Sequence, residues 1–150
     1  MKYKKVFRYV LMIAAVMTAF ISCNNDDYKT GADGVSDTVQ DGTWKISYFN
    51  DSGEDKTQNY SGYNFAFGSN TVITTTKDSN TYTAAIWSVS KSTSDDNISS
   101  TIFTINFGSP NVLIPLSRNW KVIENTGTSL KLTDDRNGGS VISQLYFEKN

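Results

Sequence analysis

Few side chains in this chain are suited to chemistry, and their types set narrow limits. The sequence has no histidine and one cysteine, Cys23. A histidine general base, an internal disulfide and the usual Cys/His zinc set are therefore excluded. Serines and threonines are plentiful, but with no histidine and no recognisable Ser-Lys motif they lack an activating base. Carboxylates remain. Asp51, Glu54 and Asp55 lie close together, as do Asp134, Asp135 and Asn137, yet neither group has the full EF-hand pattern, and turn chemistry accounts for them. Glu54 and Glu124 could serve as a glycosidase-like pair only if the fold set them across a substrate, and their spacing gives no reason for it. The sequence predicts no enzyme, no metal site and no cofactor.

The chemistry of Cys23 is of a different kind. Lys2, Lys4, Lys5 and Arg8 form a basic start, and residues 9–21 are a mostly apolar run that ends at Ser22 and Cys23. That is the layout of a secretory signal peptide. A membrane-spanning helix needs about 20 apolar residues, so the run is too short to be a permanent span. Phe20-Ile21-Ser22-Cys23 resembles the lipobox of bacterial lipoproteins, with Phe20 where leucine is usual and small Ser22 before the cysteine. The resemblance implies that residues 1–22 are removed and that Cys23 opens the mature chain, its thiol thioether-linked to diacylglycerol. It also implies fatty acyl chains such as palmitate on that residue. With about 0.8 kcal/mol for each buried methylene, two or three such chains give stable attachment. The expected address is the outer membrane, on its periplasmic or its surface-exposed face. Asp26-Asp27 resemble acidic signals for surface delivery, and Asp37-Thr38-Val39 resembles a bacterial O-glycosylation motif at Thr38.

Removing the basic leader leaves ten bases against fifteen acids, so the mature chain carries about −5 and has no basic stripe for nucleic acid. Residues 24–40 are poor in apolar side chains and rich in aspartate. They are expected to form a disordered tether of 23–40 with the lipidated cysteine.

Residues 41–150 are expected to form one all-β domain. Strands are read at 43–49, 63–67, 71–76, 81–89, 100–107, 120–124, 129–133 and 140–148, with no helix of convincing period or length. Apolar residues recur at every second position: Trp44, Ile46 and Tyr48; Phe65 and Phe67; Trp87 and Val89; Phe103, Ile105 and Phe107; Trp120 and Val122; Leu130 and Leu132; Leu145 and Phe147. Each set lies on one face of its strand and predicts the core. Short connections rich in Gly, Asn, Asp and Ser predict hairpins between sequence neighbours. Eight such strands can close into an up-and-down antiparallel barrel, with an open or sandwiched sheet as the alternative.

Gly42-Thr43-Trp44 at the first strand resembles the Gly-x-Trp of lipocalin-like proteins, and the long connection 50–62 resembles their first loop over the barrel mouth. Trp87-Ser88-Val89 and the closing Leu145-Tyr146-Phe147-Glu148-Lys149 extend the resemblance to lipocalin-like domains of bacterial lipoproteins. There is no disulfide. Lys149 is the best candidate for the basic residue that in this family packs over the first tryptophan. The family fixes no single function.

Trp44, Trp87 and Trp120 are expected to fill the interior, because a small eight-stranded barrel holds little beyond its own side chains. In an up-and-down barrel, connections 50–62, 77–80, 108–119 and 134–139 share one end. The run Val112-Leu113-Ile114 and Leu116 there has no strand to join, so it must plug the barrel or meet a partner. Any site is expected at this end, with Tyr60, Leu113, Ile114 and Leu116 as apolar contacts and Asp51, Lys56, Lys77, Asp78, Asp134 and Arg136 as polar rim. The first functional expectation is a lipid-anchored binding module holding a small apolar ligand or glycan at this end. The second is a non-catalytic accessory subunit that docks on another envelope protein. A cavity larger than about 300 Å³ favours the first, and a packed interior with an apolar external patch favours the second.

Overall fold

The computed structural model describes residues 31–92, 98–134 and 142–150. The leader, Cys23, Asp26-Asp27, Asp135, Arg136 and Asn137 lie outside the described residues. The chain forms helix α1 (Gly31–Gln40) and strands β1 (Trp44–Asp51), β2 (Glu54–Asp55), β3 (Asn64–Phe67), β4 (Ile73–Lys77), β5 (Asn80–Tyr82), β6 (Ala85–Lys91), β7 (Thr101–Phe107), β8 (Arg118–Asn125), β9 (Ser129–Asp134) and β10 (Ser143–Lys149). Short 3-10 turns cover Thr57–Tyr60, Ile98–Ser100 and Asn111–Leu116.

All described strands belong to one antiparallel sheet in the order β5-β4-β3-β1-β10-β9-β8-β7-β6, with β2 folded back on β1. Sequence neighbours pair as hairpins, as the connections predicted, and β1 pairs with β10 from Trp44 opposite Lys149 to Asn50 opposite Gln144. An isolated antiparallel bridge links Val72 to Ile86, and the Trp87 N–H donates to the Thr71 carbonyl at 2.8 Å.

Period-two alternation puts the expected apolar sets inside. Trp44, Phe65, Phe103, Trp120, Val122, Leu130, Leu132 and Leu145 are fully buried, as is Phe147 at 1% exposure. The aromatic rings meet edge to face, Phe65 with Phe147 at 5.5 Å, Phe67 with Phe147 at 5.7 Å and Phe67 with Phe103 at 5.5 Å. Each such pair adds about 0.5–1.5 kcal/mol beyond the area it buries.

Three expectations are corrected. A bulge between Ile46 and Tyr48 resets the alternation of β1, so Phe49 is buried and Tyr48 turns outward against the Tyr146 ring at 5.1 Å. The expected strand 81–89 is interrupted at residues 83–84 and continues as β6. The largest correction concerns residues 31–40, expected as tether but folded as α1 and packed on the sheet.

The residues of α1 are poor helix formers in isolation, with two glycines, two aspartates and two valines. Tertiary docking makes the helix. Val35 and Val39, one turn apart, are fully buried with Ala32 beside them, and α1 packs on β3, β6, β7 and the turn Ile98–Ser100. The Trp44 indole N–H donates to the Val39 carbonyl at 3.0 Å. Thr38, the residue of the glycosylation-like motif, donates its hydroxyl to the Gly34 carbonyl at 2.8 Å and accepts from Asn125 Nδ2 at 3.3 Å.

If α1 is part of the core, Val35→Ala and Val39→Ala should each cost about 1–3 kcal/mol in denaturant unfolding, through lost burial and the void left behind. A tether would give no change. Trp44→Ala should cost about 3–5 kcal/mol.

Candidate functional site

The end of the sheet opposite α1 is made by the C-terminal ends of β1 and β9, the first residues of β8 and β10, the folded-back segment 54–60 and the turn Asn111–Leu116. Arg118 organises it. Its guanidinium pairs with the Asp51 carboxylate, donates to Ser143 Oγ at 2.7 Å and lies 3.6 Å from Asp134. Its Nε donates to the Pro115 carbonyl at 3.2 Å, and the group lies over the Trp120 ring at 5.3 Å. Lys56 Nζ lies 2.9 Å from the other oxygen of Asp51, and Glu54 follows at 3.4 Å. Ser143 Oγ also accepts the Ser52 N–H at 3.1 Å. One arginine fork thus ties the first, eighth, ninth and tenth strands together, which a point charge on lysine would do less well.

Burial pushes the Asp51 carboxyl up, but hydrogen bonds and charge from Arg118 and Lys56 outweigh it and hold the group below its ordinary 3.8. The same bond to Asp51 raises Lys56. Burial pushes the Tyr60 hydroxyl up to about 12, so the ring is a neutral apolar wall at physiological pH. Tyr60 packs edge to face on Phe49 at 5.3 Å.

The expected apolar contacts divide. Tyr60 is 2% exposed and Leu113 and Leu116 are fully buried, whereas Ile114 is 44% exposed. The run 111–116 is therefore mainly a plug, fixed by the Trp120 indole N–H on the Leu116 carbonyl at 3.0 Å. Of the expected rim, Asp51, Lys56 and Asp134 are brought together. Lys77 and Asp78 are not in that network: Lys77 lies over the Tyr63 ring at 4.5 Å, and Asp78 holds a positive φ of 53° in the β4–β5 turn. Arg136 lies outside the described residues.

Sequence reasoning missed Arg118 and Ser143 as members of this cluster. Arg118 lies within the connection 108–119, which the sequence presents as a loop, whereas the structure opens β8 on it; it is the sole arginine among the described residues. The carboxylates weighed for other chemistry have local partners. Asp55 accepts from Thr57 N–H at 2.9 Å and Thr57 Oγ1 at 2.6 Å, an aspartate-capped turn that lowers its pKa. Glu124 pairs with Lys131 at 2.9 Å near the α1 end, away from Glu54.

No protein-family model matches the chain, and no curated protein matches it either.

Removing the guanidinium would take a cationic partner from Asp51, which keeps Lys56 at 2.9 Å, and from Asp134. Arg118→Ala should cost about 2–4 kcal/mol, less than a fully buried pair because water reaches all three groups. Because the folded Asp51 titrates below its unfolded value, its contribution is complete above pH 3.8 and is lost as pH falls through the lower folded value. Asp51→Asn should therefore be less stable than wild type at pH 7 and should lose less stability on acidification below pH 4. Parallel loss in both proteins would place the acid sensitivity elsewhere.

Proposed function

We propose that the chain is a lipid-anchored, non-catalytic protein of the bacterial outer membrane. Its domain would be a lipocalin-like barrel that docks on another envelope protein by the end carrying Arg118. Counting β5 and β6 as one interrupted strand and β2 as a stub gives eight strands in sequence order, and the Val72–Ile86 bridge lies where the third would meet the fourth. Lys149 pairs in register with Trp44 and holds Asp41 at 2.7 Å across the start of β1. These placements support the barrel reading.

The observation that carries the docking reading is the filling of the interior. Large aromatic side chains occupy it, Val35 and Val39 cover one end, and Leu113, Leu116 and Tyr60 cover the other. A small apolar ligand or glycan could enter at that end only by displacing side chains already buried there. Recognition at the outer surface meets no such obstacle. Ile114, 44% exposed, precedes Pro115, and Ile142, 46% exposed, precedes Ser143, so two exposed aliphatic residues are chain neighbours of residues that accept from Arg118. Arginine with apolar neighbours is a composition common at protein interfaces.

Metabolic labelling with palmitate should mark the wild-type protein and leave Cys23→Ala unmarked; equal labelling of both would remove the anchor. Native mass spectrometry of the protein from its source should give polypeptide and acyl mass alone. A retained lipid or sugar would return the ligand-binding module. Ile114→Asp combined with Ile142→Asp should abolish cross-linking to the envelope partner captured by wild type, with the far-ultraviolet spectrum unchanged.

A further inference from the structure

We propose that the α1 end of the domain is held against the bilayer and that the Arg118 end is presented away from it, an orientation that rests on the lipid anchor at Cys23. Reach sets the orientation. Helix α1 (Gly31–Gln40) packs on β3, β6, β7 and the turn Ile98–Ser100, so Gly31, the first described residue, belongs to that end of the fold. Seven residues separate Cys23 from Gly31. Fully extended, the steps from Cys23 to Gly31 span at most about 28 Å.

The sheet sets the distance that this reach must meet. Strand β1 runs from Trp44, beside α1, to Asp51 at the Arg118 end. Eight residues of strand extend about 25 Å. To lay the Arg118 end on lipid, the connecting residues would have to run nearly straight along the whole side of the sheet, at a large cost in chain entropy. To lay the α1 end on lipid they need not stretch at all. Had residues 24–40 remained outside the fold, their reach of about 60 Å would have left either orientation open. Folding of α1 therefore sets which way the domain points.

The surface of α1 fits contact by leash rather than by insertion. Its apolar residues Ala32, Val35 and Val39 are spent on the core, while Asp33, Asp37 and Gln40 are exposed. An acidic helix face neither inserts in hydrocarbon nor adheres to anionic headgroups.

Lipidation consumes the thiol of Cys23, so an introduced cysteine is the single labelling site in the full-length lipoprotein. Gly127→Cys lies in the β8–β9 turn at the α1 end, where an added Cβ meets nothing within 4 Å. Glu54→Cys lies at the Arg118 end, where the side chain is 73% exposed. With a fluorophore at each and phosphatidylcholine vesicles carrying headgroup nitroxide, quenching should be several-fold stronger at residue 127 than at residue 54. Inserting about ten Gly/Ser residues before Gly31 should bring the two positions together, since the longer leash restores both orientations. Equal or reversed quenching in the uninserted protein would overturn the orientation. Failure of the protein to float with the vesicles would instead overturn the anchor on which the orientation rests.

Discussion

The indole N–H of Trp44 on the Val39 carbonyl and that of Trp120 on the Leu116 carbonyl are the interactions on which the rest of the structure depends. A single antiparallel sheet whose core side chains are large aromatics needs cover where its strands end. Water there would forfeit much of the burial that stabilises so small a domain. Each tryptophan is fully buried and sits close to one end, so its ring belongs to the core while its one polar atom must find an acceptor. In each case the acceptor is a main-chain carbonyl of the covering segment, α1 at one end and the turn Asn111–Leu116 at the other. Closing the ends and satisfying the tryptophans are thus the same structural act.

Much of the sheet was legible in the sequence because the period-two signal is direct: Phe103, Ile105 and Phe107, or Leu130 and Leu132, can lie on the same side of a strand only if they face the core. The turns were legible for the same local reason. What escaped notice depends on long-range contact. The bulge in β1 shifts Tyr48 out and Phe49 in, and both are aromatic, so composition gives no warning. Helix α1 has only three apolar side chains, Ala32, Val35 and Val39; they fall at helical spacing, but the glycines and aspartates among them give the segment the polar composition of a tether, and all three are buried. Its helicity is imposed by docking, which no local propensity reports.

The candidate site was legible as an end of the fold rather than as a set of contacts. The structure brings Asp51, Lys56 and Asp134 into one network, because the ends of β1 and β9 lie at the same end of the sheet, and leaves Lys77 and Asp78 outside it. The sequence could not name Arg118 as their common partner, because a guanidinium fork is recognised by three-dimensional geometry and not by spacing. The apolar run 111–116 had two readings in the sequence, plug or contact surface, and the fold divides it between them: Leu113 and Leu116 turn inward, while Ile114 remains on the surface. The contacts of Arg118 link the strands behind that surface.

The claim that both ends are covered by the chain's own residues is tested most directly by hydrogen exchange at the tryptophan indoles. If α1 and the turn Asn111–Leu116 are integral to the core, the indole protons of Trp44 and Trp120 should exchange only through global unfolding, with protection equal to that of the slowest backbone amides of β10. Rapid exchange of either indole under native conditions, while those amides remain protected, would mean that its end of the fold opens and would contradict the account.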